Sequence, residues 1–319
     1  MSRYIGIDLG GTAIKHGVVD QKGTVLTSGS TRTPDRGREG ILSCMAEIAR
    51  RYMDLYPILG IGVGTAGAVD FARGRVLGHS PNIPGWGDTP VRELLLERLD
   101  LPVAVDNDAN CMALAEMHAG AGRGCRSAFF LTLGTGIGSA VVVDGRLLRG
   151  AHSLGGEWGH STIVHNGRMC ACGRRGHLEA YASAPALVRR TLELARQGLP
   201  SVYAELSDAA AGALDSEEVF KAAAAGDAAA AQALTETASY LADGIASAVN
   251  LLDPERIVLG GGMAVAGSPF VGAVVEEVRT RVHSAVTPYV DLVTAELGNR
   301  AGFIGAALLL LDSMAGTAG

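Results

Sequence analysis

The chain has 319 residues, of which 48 % are hydrophobic and only 5 % aromatic, so a core of Ala, Val, Leu and Ile is expected. A formal net charge of −6 without a long basic run argues against binding nucleic acid or an anionic membrane surface. No stretch approaches the ~20 apolar residues of a membrane span, Asp8 interrupts the first apolar run, and five cysteines is an odd count. We therefore expect a cytoplasmic protein with reduced thiols and without a signal peptide.

The chain opens with a strand, a Gly/Thr turn and a second strand. Apolar residues lead to Asp8, and Gly10-Gly11-Thr12 follow before the apolar pair Val18-Val19. Consecutive backbone N–H groups in such a turn can bind a phosphate, and the Thr hydroxyl adds a donor. An ordinary hairpin would show the same pattern, so this turn alone leaves both interpretations open.

A helix is predicted over 39–52, and the next strand, 59–63, contains glycines that suggest close packing of another element. The small residues that follow, among them Gly67, lie where open α/β sheets bind ligands. Residues 81–87 predict an irregular loop, and Thr89-Pro90 predict the start of a helix with Thr at the N-cap.

The strand 103–105 ends in a cluster of carboxylate and amide side chains. Asp106, Asn107, Asp108 and Asn110 stand within five positions, before a helix that reaches 119. One such residue is enough to cap a helix. The cluster is therefore either an elaborate cap or a functional site.

A second copy of the first pattern follows. The strand 129–133 leads to Gly134-Thr135-Gly136-Ile137-Gly138, an apolar strand and the turn Asp144-Gly145. The repetition indicates a duplicated half with two phosphate-binding turns. A P-loop sequence is absent, and the glycine spacing does not match the dinucleotide fingerprint, so a Rossmann domain is not expected.

Soft and borderline metal ligands are concentrated in the next stretch. Tetrahedral Zn²⁺ prefers Cys and His ligands. A Cys-x-Cys alone is a weak signal for a metal site. Two flanking histidines strengthen it, so that a zinc site and a metal-free loop are equally well supported. The stretch contains Glu157, His160, Cys170, Cys172, His177 and Glu179.

The rest of the chain is predicted to be mainly helical, with a long helix ended by Pro254. A strand at 256–259 leads to Gly260-Gly261-Gly262, which favour either a flat ligand lying on bare backbone or a tight strand-to-helix turn. A strand at 292–294 and a helix over 302–314 follow, and that helix could return to pack on the first domain.

Several of these motifs together resemble the ROK family (repressors, open reading frames, kinases). The resemblance rests on Asp8-Leu-Gly-Gly-Thr12, Asn107-Asp108-Ala-Asn110, Glu157-x-Gly-His160, Cys170-x-Cys172-Gly-x-x-Gly-x-x-Glu179 and Leu259-Gly-Gly-Gly262. It implies an α/β protein with the actin-like ATPase (ribonuclease H-like) fold, two α/β domains with a central cleft. We expect a small domain of residues 1–119 plus 301–319 and a large domain of residues 120–300 with the zinc loop.

The resemblance further implies a cytoplasmic, ATP-dependent hexose kinase that forms a homodimer or homotetramer and feeds glycolysis. Glucose is the expected acceptor at its 6-hydroxyl; N-acetylmannosamine, N-acetylglucosamine, mannose, allose and fructose are alternatives. A sugar-responsive repressor is not expected, because the first strand begins by Tyr4 and leaves no room for a DNA-binding domain. A sugar-binding or actin-like assembly protein without catalysis is the remaining alternative.

Roles for individual residues follow from the same resemblance. Asp108 is the general base, Asp8 positions Mg²⁺ through water, and His160 binds structural zinc with one nitrogen while the other faces the sugar. This sequence departs from the family pattern at two positions. His177 occupies the place of a third cysteine. Many glucokinases of the family have a lysine directly after the Thr of the first turn, whereas here the lysine is Lys15, three positions after Thr12. The implied sugar residues are Gly67, Asn107, Asp108, Glu157, His160 and Glu179; those for ATP and Mg²⁺ are Asp8, Gly11, Thr12, Thr135, Gly136, Gly261 and Gly262; those for Zn²⁺ are His160, Cys170, Cys172 and His177.

Overall fold

The computed structural model describes residues 2–78, 83–266 and 268–316. The predicted irregular loop at 81–87 is therefore described from residue 83 onward, and residues 81 and 82 lie outside the described residues. The strands are β1 Arg3–Leu9, β2 Ala13–Asp20, β3 Val25–Arg32, β4 Ile61–Thr65, β5 Val69–Asp70, β6 Arg75–Val76, β7 Val103–Asn107, β8 Ala128–Leu133, β9 Ile137–Val143, β10 Arg146–Leu147, β11 Arg256–Gly260 and β12 Leu292–Thr294.

Helices follow each group of strands along the chain. Among the described residues, none of them combines the length and the apolar composition needed to cross a bilayer. The helices are α1 Gly37–Met53, α2 Val91–Leu99, α3 Asp108–Ala119, α4 Glu179–Ala182, α5 Ala184–Arg196, α6 Asp208–Ala211, α7 Ser216–Ala224, α8 Ala228–Leu252, α9 Gly262–Ala266, α10 Ser268–Arg281 and α11 Ala301–Gly316.

The two larger sheets share one topology. The first has the order β3-β2-β1-β4-β7, and the second has the order β10-β9-β8-β11-β12. In the first sheet β1 is antiparallel to β2 and parallel to β4, which is itself parallel to β7. In the second sheet β11 is parallel to both β8 and β12. The repeat of strand, turn and strand that the sequence predicts is therefore present in both sheets.

The chain forms two compact units. The first contains residues 1–125, 140–156 and 296–319, and the second contains residues 126–139 and 157–295. The domain limits expected from the sequence stay a prediction.

Helix α11 packs directly on the first sheet because glycines remove the side chains between them. It contacts β1, β4 and β7. A Cβ atom added at Gly6 would overlap the carbonyl of Phe303, and one at Gly62 would overlap the carbonyl of Ala306. The close packing predicted from the glycines of 59–63 is therefore present.

Side chains alternate along β1, so its two faces have different neighbours. Ile5 and Ile7 are fully buried and belong to the hydrophobic core that also contains residues of α1 and α2. Gly6 and Asp8 lie on the other face, towards α11. This register leaves the carboxylate of Asp8 beside the first residues of that helix.

One predicted helix start is wrong. Helix α2 begins at Val91, and its N-cap is Pro90 without a side-chain hydrogen bond. The Thr89 hydroxyl donates to the carbonyl of Trp86 at 2.5 Å. A contact within the loop therefore uses the hydroxyl that the sequence pattern assigned to the helix.

Candidate active site

The carboxylate and amide cluster lies where β7 passes into α3. Asn107 is the N-cap of α3, and its side-chain oxygen accepts the N–H of Ala109 at 2.8 Å. Its amide nitrogen donates to the carbonyl of Gly67 at 3.0 Å, which brings two predicted sugar residues together. The capping interpretation is therefore correct for Asn107, but it accounts for only one member of the cluster.

The two aspartates of the cluster have different surroundings. Asp106 is 2 % exposed. Its Oδ1 accepts the N–H of Asn107 at 2.8 Å, and its Oδ2 accepts the Nε–H of Arg149 at 2.8 Å. Asp108, the first residue of α3, is exposed. Of the two carboxylates, Asp108 is the one that a reactant in solution can reach.

The first Gly/Thr turn is held from behind. The Thr33 hydroxyl donates to the carbonyl of Gly10 at 2.7 Å, and the Thr33 N–H donates to the carbonyl of Thr12 at 3.0 Å. Gly11 and Thr12 themselves are exposed. Because the supporting contacts use the turn's carbonyls, the exposed side remains open to an anion.

Asp8 ends close to this turn and faces Lys15 across the strand pair. The two residues are directly paired in the β1–β2 register. Burial raises the pKa of the Asp8 carboxyl, and the positive charge of Lys15 opposes this shift. The Lys15 ammonium also lies 3.3 Å from the side-chain oxygen of Asn299. The displaced lysine noted in the sequence therefore lies on the same face as Asp8.

The second Gly/Thr turn, in the second unit, is tied to Glu179. The Ile137 N–H donates to Oε2 of Glu179 at 3.0 Å, although the two residues are 42 positions apart. A Cβ atom at Gly136 would overlap the same carboxylate, whereas Thr135 is exposed. Sequence reasoning placed Gly136 and Glu179 in separate roles and missed their contact, for which the bare Gly136 is the only local signal.

The stretch carrying Glu157 and His160 is anchored through the tryptophan between them. The Trp158 N–H donates to the Ser139 hydroxyl and its indole N–H to the carbonyl of Gly244, both at 2.8 Å. A short 3-10 helix spans Trp158–His160. Glu157 remains exposed. The fixed tryptophan sets the direction from which the two flanking side chains leave the backbone.

The four predicted zinc ligands converge. One ligand atom from each of His160, Cys170, Cys172 and His177 lies within 4.8 Å of the others. The Cys170 Sγ is 3.8 Å from His160 Nδ1, and the Cys172 Sγ is 3.2 Å from His177 Nδ1. A tight turn, closed by the Gly173 N–H to the Cys170 carbonyl at 2.9 Å, brings the two thiols to one side.

These separations fit a tetrahedral ion. With Zn–S near 2.3 Å and Zn–N near 2.0–2.1 Å, neighbouring ligand atoms of a tetrahedral ion are about 3.3–3.8 Å apart. Burial raises the pKa of the Cys170 thiol to about 12, so an ion that binds here displaces its proton. Burial and the neighbouring His160 lower the pKa of His177, which favours the neutral imidazole that binds metals. The cluster therefore suits a Cys₂His₂ zinc centre.

Glu179 also reaches this cluster, because the Cys170 thiol donates to its Oε1 at 3.4 Å. One carboxylate therefore contacts both the second turn and the candidate metal centre.

The three consecutive glycines differ from one another. Gly261 has φ +87°, and a Cβ there would overlap the carbonyl of Leu133, so packing alone requires a glycine. Gly262 starts α9 and has open space where a Cβ would stand. The tight-turn interpretation therefore accounts for Gly261, while Gly262 leaves room for a ligand.

Comparison with known proteins identifies the relationship. The model of the ROK family matches residues 4–313. The chain belongs to the ROK family. A ROK relative named glucokinase, from Thermotoga maritima, is 35% identical over 318 residues, which cover 98% of this chain and 99% of the relative.

Two solved ROK structures resemble the fold over almost its full length. A ROK hexokinase from Thermus thermophilus has a TM-score of 0.84 and 38% identity, covering 98% of this chain and 99% of that one. A ROK family glucokinase from Streptomyces griseus, in complex with glucose and AMPPNP, has a TM-score of 0.82 and 33% identity, covering 97% and 99%. The predicted actin-like ATPase fold is thereby confirmed.

Proposed function

We propose that this ROK protein is a glucokinase, which transfers the γ-phosphoryl group of ATP to the 6-hydroxyl of glucose. The glucokinase and hexokinase relatives indicate an ATP-dependent sugar kinase. Glucose is proposed as the acceptor because it is the sugar named for the relatives of nearly equal length.

One observation carries the proposal: the exposed carboxylate of Asp108 stands beside Asn107, whose amide is fixed on Gly67. An exposed carboxylate held at a strand end can take the proton of a sugar hydroxyl as the phosphoryl group arrives. A positioned base of this kind contributes ~10²–10⁴ in rate. Asn107 and Gly67 offer donors and acceptors at fixed angles, which suit a polyol.

We assign the remaining roles as the family resemblance implies them. Glu157, His160 and Glu179 hold sugar hydroxyls. The turns at Gly11-Thr12 and Thr135-Gly136 bind the phosphates, and Gly261-Gly262 lie near the adenosine. Phosphoryl transfer depends mainly on positioning and charge neutralisation, which suits open backbone turns rather than covalent catalysis.

Two metal ions belong to the proposal. Mg²⁺ neutralises phosphate charge when bound. Asp8 would hold it through water, since carboxylate oxygens suit this ion. Zn²⁺ in the Cys₂His₂ cluster is a structural brace: His160 turns Nδ1 towards Cys170, so its other nitrogen points away from the cluster. A cytoplasmic homodimer or homotetramer completes the proposal.

A substrate panel tests the proposed function. The purified wild-type protein is incubated with ATP, Mg²⁺ and a dozen hexoses and N-acylhexosamines, and ADP release is measured. We expect the highest kcat/KM for glucose, with glucose 6-phosphate as the product identified by NMR. Preference for another sugar would replace glucose as the acceptor, and failure to phosphorylate any of them would overturn the kinase assignment.

Gly302→Ala tests the position of Asp8. A Cβ at residue 302 would overlap the Asp8 carboxylate, so the carboxylate must rotate away. Alanine is otherwise favoured over glycine in a helix by about 1 kcal/mol, so the fold should survive. We expect kcat to fall at least roughly tenfold, with a higher Mg²⁺ requirement, as expected when a positioned charge is lost.

The matched control is Gly272→Ala in α10. A Cβ at Gly272 meets nothing within 4 Å, so this variant should keep full activity and gain slightly in melting temperature. Wild-type Mg²⁺ dependence in Gly302→Ala would remove Asp8 from the metal role.

A further inference from the structure

A buried ion network lies directly behind the candidate base. Arg149 links two carboxylates: its Nε is 2.8 Å from Oδ2 of Asp106, and its terminal nitrogen is 2.8 Å from Oδ2 of Asp312 in α11. The Arg149 side chain is only 16% exposed, and its guanidinium lies 3.7 Å from the ring centre of Phe71. The planar fork of arginine suits two carboxylates at once, and lysine does not replace it.

The Asp106 end of this network fixes the backbone that carries the base. Oδ1 of Asp106 accepts the N–H of Asn107 at 2.8 Å and the amide Nδ2–H of Asn110 at 2.9 Å. The first contact orients the peptide between Asp106 and Asn107, one residue before Asp108, and the second holds the first turn of α3. With Asp106 almost fully buried, Arg149 supplies the charge that its carboxylate needs.

The backbone of Arg149 closes the turn that precedes a second predicted sugar-binding stretch in the sequence. The Gly155 N–H donates to the carbonyl of Arg149 at 2.8 Å and closes the turn 149–155. A Cβ at Gly155 would lie 2.7 Å from the carbonyl of Leu148, so this closure is tight. Glu157 follows two positions later in the chain.

We propose that Arg149 is a positioning residue for phosphoryl transfer, because one side chain orients the Asn107–Asp108 strand end while its carbonyl closes the turn that precedes Glu157. This inference rests on the proposed kinase function. Arg149 does not contact the reactants; it determines the positions of the residues that contact them. Its loss should therefore reduce kcat more than it weakens ATP binding.

The test compares Arg149→Met and Arg149→Lys with the wild-type enzyme. For Arg149→Met we expect kcat to fall by roughly tenfold to a hundredfold, the scale of a 1 Å misplacement at a reacting group. The KM for ATP should stay within about twofold, because the residues assigned to the phosphates are untouched. Arg149→Lys retains the charge but not the fork, and its kcat should lie between the other two.

The matched control is Arg190→Met. Arg190 also bridges two carboxylates, Glu193 and Glu236, and its side chain is 20% exposed, but neither carboxylate belongs to the residues assigned to the substrates or the metals. Both arginine-to-methionine variants lose a two-carboxylate ion pair. At an equal folded fraction, Arg190→Met should keep kcat within about threefold of wild type.

A double variant separates positioning from simple charge balance. Asp106→Asn combined with Arg149→Met removes both partners of the buried pair and leaves an acceptor for Asn107 and Asn110. The variant leaves no unpaired charge at the buried position 106, and the carboxylate of Asp312, which is 20% exposed, can be solvated. The melting temperature should therefore largely recover. If Arg149 positions the base, kcat stays at least roughly tenfold low in this folded protein.

Recovery of kcat together with the melting temperature would overturn the inference, as would wild-type kcat in Arg149→Met. If the wild-type protein phosphorylates a hexose and Arg149→Met has the same kcat, only the inference about Arg149 is overturned, and the proposed function stands. A wild-type protein without turnover on any sugar of the panel overturns the proposed function and this inference together.

Discussion

Asp108→Asn is expected to lower kcat for hexose phosphorylation by about 10²–10⁴-fold, the contribution of a positioned base. Asparagine keeps the size of the side chain and its acceptor for the Ala109 N–H, which Oδ1 of Asp108 accepts at 3.0 Å. The fold should therefore be unchanged, and hexose binding, measured by intrinsic fluorescence or calorimetry, should persist.

Asp100→Asn is the control for this substitution. Asp100 is an exposed residue in the left-handed conformation at the end of α2, with φ 50°, where asparagine is well tolerated. It should keep wild-type kcat. Activity of Asp108→Asn within about tenfold of wild type would remove Asp108 from the proton transfer.

The second large effect is expected for His177→Ala. His177 is 8 % exposed, and its Nδ1 lies 3.2 Å from the Cys172 sulfur. Loss of a ligand should reduce zinc affinity by at least about 10–100-fold, because mutation of a residue that merely hydrogen-bonds to a metal ligand already has an effect of this size. Without the ion, His160 and Glu179 lose a common anchor, so the KM for the hexose should rise more than kcat falls.

Zinc content by atomic spectroscopy and hexose KM are measured on the same samples. His165→Ala is the control, because His165 lies in the same loop but outside the four-residue cluster. It should keep both zinc and KM. Full zinc occupancy in His177→Ala would show that the ligand assignment is wrong.

The sequence predicted best what depends on neighbouring residues. The N-cap role of Asn107 and the close packing at Gly62 both follow from local patterns. An Asn at the start of a helix usually caps it, and a Gly inside a strand usually marks the close approach of another element. The duplicated topology was predictable for the same reason, since each copy repeats a strand, a Gly/Thr turn and a strand.

Contacts between distant positions could not be predicted in this way. The Arg149–Asp106 pair spans 43 positions and the Arg149–Asp312 pair 163, and no spacing rule connects them. The predicted N-cap at Thr89 was wrong for a related reason, because the Thr89 hydroxyl donates to the carbonyl of Trp86 in the loop instead of capping the helix. Local propensity decided the outcome only where no tertiary partner competed for the same group.

The backbone-to-backbone packing of α11 on Gly6 and Gly62 has a consequence for biosynthesis. β1 and β4 leave the ribosome long before α11 is translated, and no bulky side chain on those glycines can shield the face that awaits it. The nascent first unit therefore has to wait, with part of its sheet uncovered, until nearly all of the chain has been synthesised. Mutations that weaken α11 should consequently reduce the yield of folded protein in cells more than they reduce the melting temperature of the purified enzyme.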